Sequence, residues 1–148
     1  MDDVALANYI AGVYAGPVEA GRLDYRCAGL LRVQAGTAIW FSDYTLSKLR
    51  RRHGDINFSH YRHMPSILLH GFLARGRSNN LLEFWWVDRV SAEATAYFVV
   101  LKATKKGEVF VETFHRVHLR EVRRLLRKAE REGRLIHTQA GVERSVKS

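Results

Sequence analysis

Lys102, Thr113, His115 and Arg116 combine the side chains that cleavage of a phosphodiester needs, and the sequence sets them at the end of what reads as one hairpin. Histidine exchanges protons near neutral pH, and arginine grips a phosphate with two parallel hydrogen bonds. Cutting RNA through its own 2′-hydroxyl takes a base, an acid and positive charge over the developing phosphorane, and these residue types supply all three. The bland alternative for each is a surface group: a solvated strand lysine, and a His-Arg pair at a helix entrance. His53 is a further candidate, because it ends a basic helix where the helix dipole favours a cation and a phosphate can be met.

The elements that must position these residues follow from the hydrophobic pattern. Apolar alternation at 96–103 and 109–114 predicts two strands joined by a turn at Lys105-Lys106-Gly107. Simple hairpin pairing sets Lys102 opposite Phe110 or Val111, near Thr113 without pairing it directly. Strands are also predicted at 72–75 and 82–87, which makes a four-stranded antiparallel meander. Ahead of them, Asp2 and Asp3 cap a helix running to Tyr14, Ser42 caps a second that ends near His53-Gly54, and Pro65 opens a short segment before Gly71. The stretch 21–36 reads as strand or loop. A last helix turns Leu119, Val122, Leu125, Leu126 and Ala129 inward and ends at Gly133. The expected fold class is α+β, with N-terminal helices packed on a four-stranded antiparallel sheet and a basic amphipathic C-terminal helix. Residues 1–137 form one domain, and 138–148 a polar, flexible tail.

At 148 residues with 47% hydrophobic content, the chain can bury a real core, which excludes disorder as its main character. Lysine and arginine number 24 against 15 acidic residues, giving a net charge of +9 and a bias toward polyanions. The densest positive charge lies on two helices, with Arg51 and Arg52 on one and Arg120, Arg123, Arg124, Arg127 and Lys128 on the other. Only Glu121 and Glu130 dilute the second run, so a phosphate backbone is the favoured partner and a solvated face the alternative. Phe84, Trp85 and Trp86 are adjacent, so at least one ring leaves the core face and can stack on a base. Cys27 stands alone, which excludes an internal disulfide and a cysteine-based zinc site. His53, His60, His63 and His70 lack zinc-ligand spacing, so neither metal nor cofactor is expected. An acidic N-terminus and the lack of a long apolar run point to a cytoplasmic protein without a membrane partner.

From Ile39 to Lys128 the chain resembles the phage barnase-EndoU-colicin-RelE-like nucleases, toxin-type ribonuclease domains of phages and mobile elements. The resemblance rests on Ser42-Asp43-Tyr44-Thr45-Leu46 leading to Arg52-His53, then Tyr61 and Met64-Pro65-Ser66-Ile67-Leu68. It continues through Tyr97-Phe98-Val99-Val100-Leu101-Lys102-Ala103 to Val111-Glu112-Thr113-Phe114-His115-Arg116. Gly54 stands where that pattern has proline, and the first 36 residues have no counterpart. The resemblance implies RNA bound across the sheet and cleaved without a metal to a 2′,3′-cyclic phosphate. His53 would be base or phosphate ligand, Lys102 the stabiliser of the transition state, Thr113 a donor to phosphate, and His115 with Arg116 acid and clamp. RNA is the expected partner, with a cognate antitoxin or immunity protein as a second candidate. The alternatives are a non-catalytic nucleic-acid-binding module or phage regulator, and a protein that binds another protein.

Overall fold

A computed structural model describes residues 3–11, 17–52, 58–88 and 95–137. His53, the expected end of the first helix at Tyr14, and the tail 138–148 lie outside the described residues. The elements in chain order are α1 (Asp3–Ile10), β1 (Val18–Arg22), α2 (Tyr25–Leu31), β2 (Ala38–Phe41), α3 (Asp43–Arg52), α4 (Phe58–Tyr61) and α5 (Met64–His70). They continue with β3 (Phe72–Arg75), β4 (Leu81–Asp88), β5 (Thr95–Ala103), β6 (Val109–Val117), α6 (Leu119–Arg131) and β7 (Leu135–His137).

The fold is α+β, but the expected sheet is corrected. The seven strands among the described residues form one mixed sheet in the order β1-β2-β6-β5-β4-β3-β7. The meander β3 to β6 pairs antiparallel as its turns dictate, yet it is only the middle of the sheet. β2 joins β6 in parallel through Ile39 opposite Val109 and Trp40 opposite Phe110, which makes the sheet mixed. Strands therefore alternate with helices in the first half of the chain, in place of a purely helical N-terminal part.

Local chemistry explains the difference. The Asp24 side chain accepts the Cys27 N–H at 2.8 Å, so the stretch 21–36, expected as strand or loop, contains the N-terminus of α2. Arg32 closes that helix in the left-handed conformation, at φ 58°. β7 exists because α6 ends in a Schellman turn around Gly133, at φ 70°, with Arg134 N–H donating to Ala129 and Gly133 N–H to Glu130. The turn throws the chain back onto the free edge of β3. Arg134 then holds it there through the Arg75 carbonyl at 2.6 Å and Glu83 at 3.1 Å.

Two apolar layers sandwich the sheet. On one face α1, α2, α4 and α5 bury Tyr9, Cys27, Leu31, Tyr61, Met64 and Ile67 against the strands. On the other, α6 sets Val122, Leu126 and Ala129 onto Phe72, Trp85 and Val87. Phe84 and Trp85 thus enter opposite cores, and Trp86 stays half-buried. The corner between α5 and β3 is tight: a Cβ on Gly71 would lie 2.7 Å from the Ile67 carbonyl and 2.8 Å from that of Trp85. Gly71→Ala should therefore cost about 2–3 kcal/mol, read as a lower urea midpoint at unchanged slope. Cys27 is 3% exposed, and burial together with the Asp24 charge pushes its thiol up to about 12. At pH 8 an aromatic disulfide reagent should find no reactive thiol in the folded protein and one equivalent after denaturation.

Candidate functional site

Cross-strand rows place the chemistry. Trp86, Tyr97 and Arg116 form one row across β4, β5 and β6. On the other face, Trp85, Phe98 and His115 form a row, followed by Glu83, Val100 and Thr113, and then by Leu81, Lys102, Phe110 and Trp40. A bulge decides who faces where. Val100 pairs with Thr113 and Leu101 with Val111, which leaves Glu112 as an extra residue. Val111 and Phe114 consequently share the helix-covered face, Arg116 joins them, and Thr113 and His115 take the opposite one. The helix α3 grips this bulge: Thr45 Oγ1 donates to the Val111 carbonyl at 2.9 Å and Lys48 Nζ to that of Glu112 at 2.6 Å. Ser42 accepts the Thr45 N–H and caps α3.

The expected constellation is thereby divided. Lys102 is exposed and lines a shallow depression of about 490 Å³ with Arg32, Asn79, Asn80 and Lys105. Thr113 lies one row along and His115 two, so Lys102 and His115 are separated by roughly 13 Å of strand. The His115 ring packs edge-on against Phe98 at 5.5 Å, and its Nδ1 lies 3.1 Å from the Arg116 carbonyl. If Nδ1 carries the hydrogen it donates to that carbonyl, which makes Nε2 the basic nitrogen. Arg116 itself is exposed on the far side of the sheet. Arg51 is exposed in the last turn of α3, with Nε 3.4 Å from the Ser47 carbonyl; Arg52 closes the same helix.

Around Tyr97 the structure assembles a cluster that the sequence had not singled out. His63, at the corner between α4 and α5, stacks against Trp86 at 5.2 Å and Tyr97 at 5.3 Å between centroids. His60 lies 6.2 Å from Tyr97. His63 Nε2 is 3.8 Å from Oδ2 of Asp88, which ends β4 and is 8% exposed. The His63 N–H donates to the His60 carbonyl, so one turn carries both imidazoles. Tyr61 anchors that turn, packing against Phe41 at 5.3 Å and Phe114 at 4.9 Å. Burial and the Asp88 charge hold the Tyr97 phenol above its ordinary range, while Arg116 pulls it back. Tyr97 therefore remains a neutral hydrogen-bond donor at physiological pH. The signal was present in part: His60 and His63 have helical i, i+3 spacing, and Asp88 and Arg116 sit at strand ends. What was missing was the row that joins β4, β5 and β6.

The α6 arginines form a stripe. Arg120, Arg123, Arg124, Arg127 and Arg131 line a depression of about 350 Å³. Glu121 pairs with Arg124, whose hydrogen bond leads the effects that lower the Glu121 carboxyl below its usual range. Lys128 flanks the stripe, half-buried. Among the described residues no group of three or more His, Cys, Asp or Glu is placed to hold a metal ion, and no helix is long and apolar enough to cross a membrane. His70 is exposed in the last turn of α5, apart from the cluster. Comparison with family models, with curated proteins and with solved structures returns no match.

Proposed function

We propose that this protein is an endoribonuclease that cleaves RNA by attack of the 2′-hydroxyl and leaves a 2′,3′-cyclic phosphate. One observation carries the reading: His60, His63, Asp88 and Arg116 converge on Tyr97. His63 takes the proton of the 2′-hydroxyl, and Asp88 stabilises the imidazolium that forms. The O2′–P bond forms as the P–O5′ bond breaks, and His60 gives its proton to the departing 5′-oxygen. Arg116 neutralises charge on the phosphorane and Tyr97 supplies a neutral donor beside it. These steps use side chains alone, as the resemblance to phage nucleases implies, and RNA as substrate suits a cytoplasmic protein.

The reading moves the reacting centre away from Lys102, Thr113 and His115. Their face contributes instead to holding RNA. Lys102 stands on the opposite face and roughly 16 Å along β5 from Tyr97, so any phosphate that it meets lies well away from the cut, and its charge acts there without entering the chemistry.

The test is digestion of total RNA and tRNA by the purified protein in excess EDTA, with analysis of product ends. Cyclic phosphate ends are expected from the wild type and from Lys102→Ala, and none from His63→Ala. Loss of cleavage in Lys102→Ala with His63→Ala active would return the centre to the opposite face. Intact RNA with salt-sensitive binding would favour a non-catalytic RNA-binding module, the reading that the α6 stripe supports by itself.

A further inference from the structure

The stripe on α6 has a more specific geometry than a basic surface requires. Its five arginines recur at i, i+3, i+4, i+7 and i+11, which keeps them in one line along a helix that rises roughly 16 Å from Arg120 to Arg131. The line is rigid, because Val122, Leu126 and Ala129 beneath it are all fully buried. Among the described residues, no ion pair involves Arg120, Arg123 or Arg131. Arg123 Nε is moreover shielded from solvent without a hydrogen-bond partner. No aromatic residue occurs in α6.

From this geometry we infer that α6 is a docking surface for the phosphate backbone of an RNA double helix, a stem carried by the substrate. Single-stranded RNA is usually held by stacking bases on aromatic rings, and the stripe offers none. A preorganised row of guanidinium groups suits phosphates that are already held in a row, since a flexible strand would lose entropy on aligning with it. Recognition of this kind reads shape and charge without reading sequence.

The identification of the stem as RNA rests on the ribonuclease reading, and the placement agrees with it. β6 carries Arg116 at the same end of the sheet where α6 begins, three residues on, at Leu119. A stem lying along α6 would present its single-stranded extension at that end, from which it rounds the sheet to the opposite face, where Tyr97 and Arg116 stand. The stem then supplies affinity, and the extension enters the cluster.

The experiment is fluorescence anisotropy with a fully 2′-O-methylated 16-base-pair RNA duplex, which lacks the attacking hydroxyl, and with one unstructured strand of equal length. Wild type is compared with Arg120→Ala/Arg127→Ala/Arg131→Ala between 50 and 200 mM salt. The triple variant should fold, because alanine favours an exposed helix, and circular dichroism verifies this. Wild type is expected to prefer the duplex, with a log–log salt slope of roughly −4, and the variant to show a slope smaller by roughly 2–3. An unchanged slope in a folded variant, tighter binding of the single strand, or displacement of duplex by phosphatidylserine vesicles would overturn the proposal. Its fate is separable from that of the enzyme reading. Duplex binding without cleavage of any RNA keeps the docking surface and removes the nuclease, whereas cleavage of a dinucleotide with an unchanged slope does the reverse.

Discussion

His63→Ala is expected to lower the rate of RNA cleavage by about 10²–10⁴-fold, the range for removal of a positioned general base. The loss should fall on kcat, because in the proposed mechanism His63 moves a proton in the transition state while the proposed α6 docking surface carries most of the affinity. Stability should change modestly: the ring is partly exposed, and the variant loses its ring contacts with Trp86 and Tyr97 and its contact with Asp88. Asp88→Asn should give a smaller loss of kcat, since the amide keeps the shape of the carboxylate but not the charge that steadies the imidazolium. RNA affinity, measured with uncleavable strands, should stay near wild type in both variants. A His63→Ala protein that cuts at the wild-type rate would remove the Tyr97 cluster as reacting centre, whatever its melting temperature.

The four strands of the meander were legible in the sequence because their apolar alternation is regular and two of the three connections carry glycine, asparagine or paired lysines. The outer strands were not. β1 has five residues with Gly21 inside it, β2 only four, and β7 depends on how α6 ends, so none carries a periodic signal of its own. Parallel pairing of β2 with β6 joins segments some seventy residues apart, a relation that local pattern does not contain.

Which candidate residues share a face was not legible, for one physical reason. Alternation counted from Val109 keeps Val111, Thr113 and His115 on a common face, and the sequence shows no sign that Glu112 is an extra residue. The bulge inverts that parity, and it is held by Thr45 and Lys48 from a helix that precedes it by more than sixty residues. Tyr97, which an unbroken register would set opposite His115, thereby pairs with Arg116, while Thr113 and His115 join the face of Lys102. The types of residue needed for phosphodiester chemistry were recognisable; which of them meet was decided by the bulge.

Phe114→Ala is expected to destabilise the protein by about 3–5 kcal/mol, the usual cost of truncating a fully buried phenylalanine. For a chain of this size that lowers the melting temperature by roughly 10–20 °C and removes a large share of a total stability of about 5–15 kcal/mol. The position matters beyond its volume. Phe114 touches Tyr61 at 4.9 Å and Tyr97 at 5.7 Å, so it joins the ring that anchors the His60–His63 turn to the ring at the centre of the cluster. A cavity there lets both tyrosines shift, and positioning errors of about 1 Å can cost 10²-fold in rate. Cleavage at a temperature where the variant is still folded should therefore fall along with stability. Phe114→Leu refills most of the space, and should recover most of the stability and more of the activity. If Phe114→Ala melts within a few degrees of wild type, the two tyrosines are held by something else, and the packing route from core to cluster fails with it.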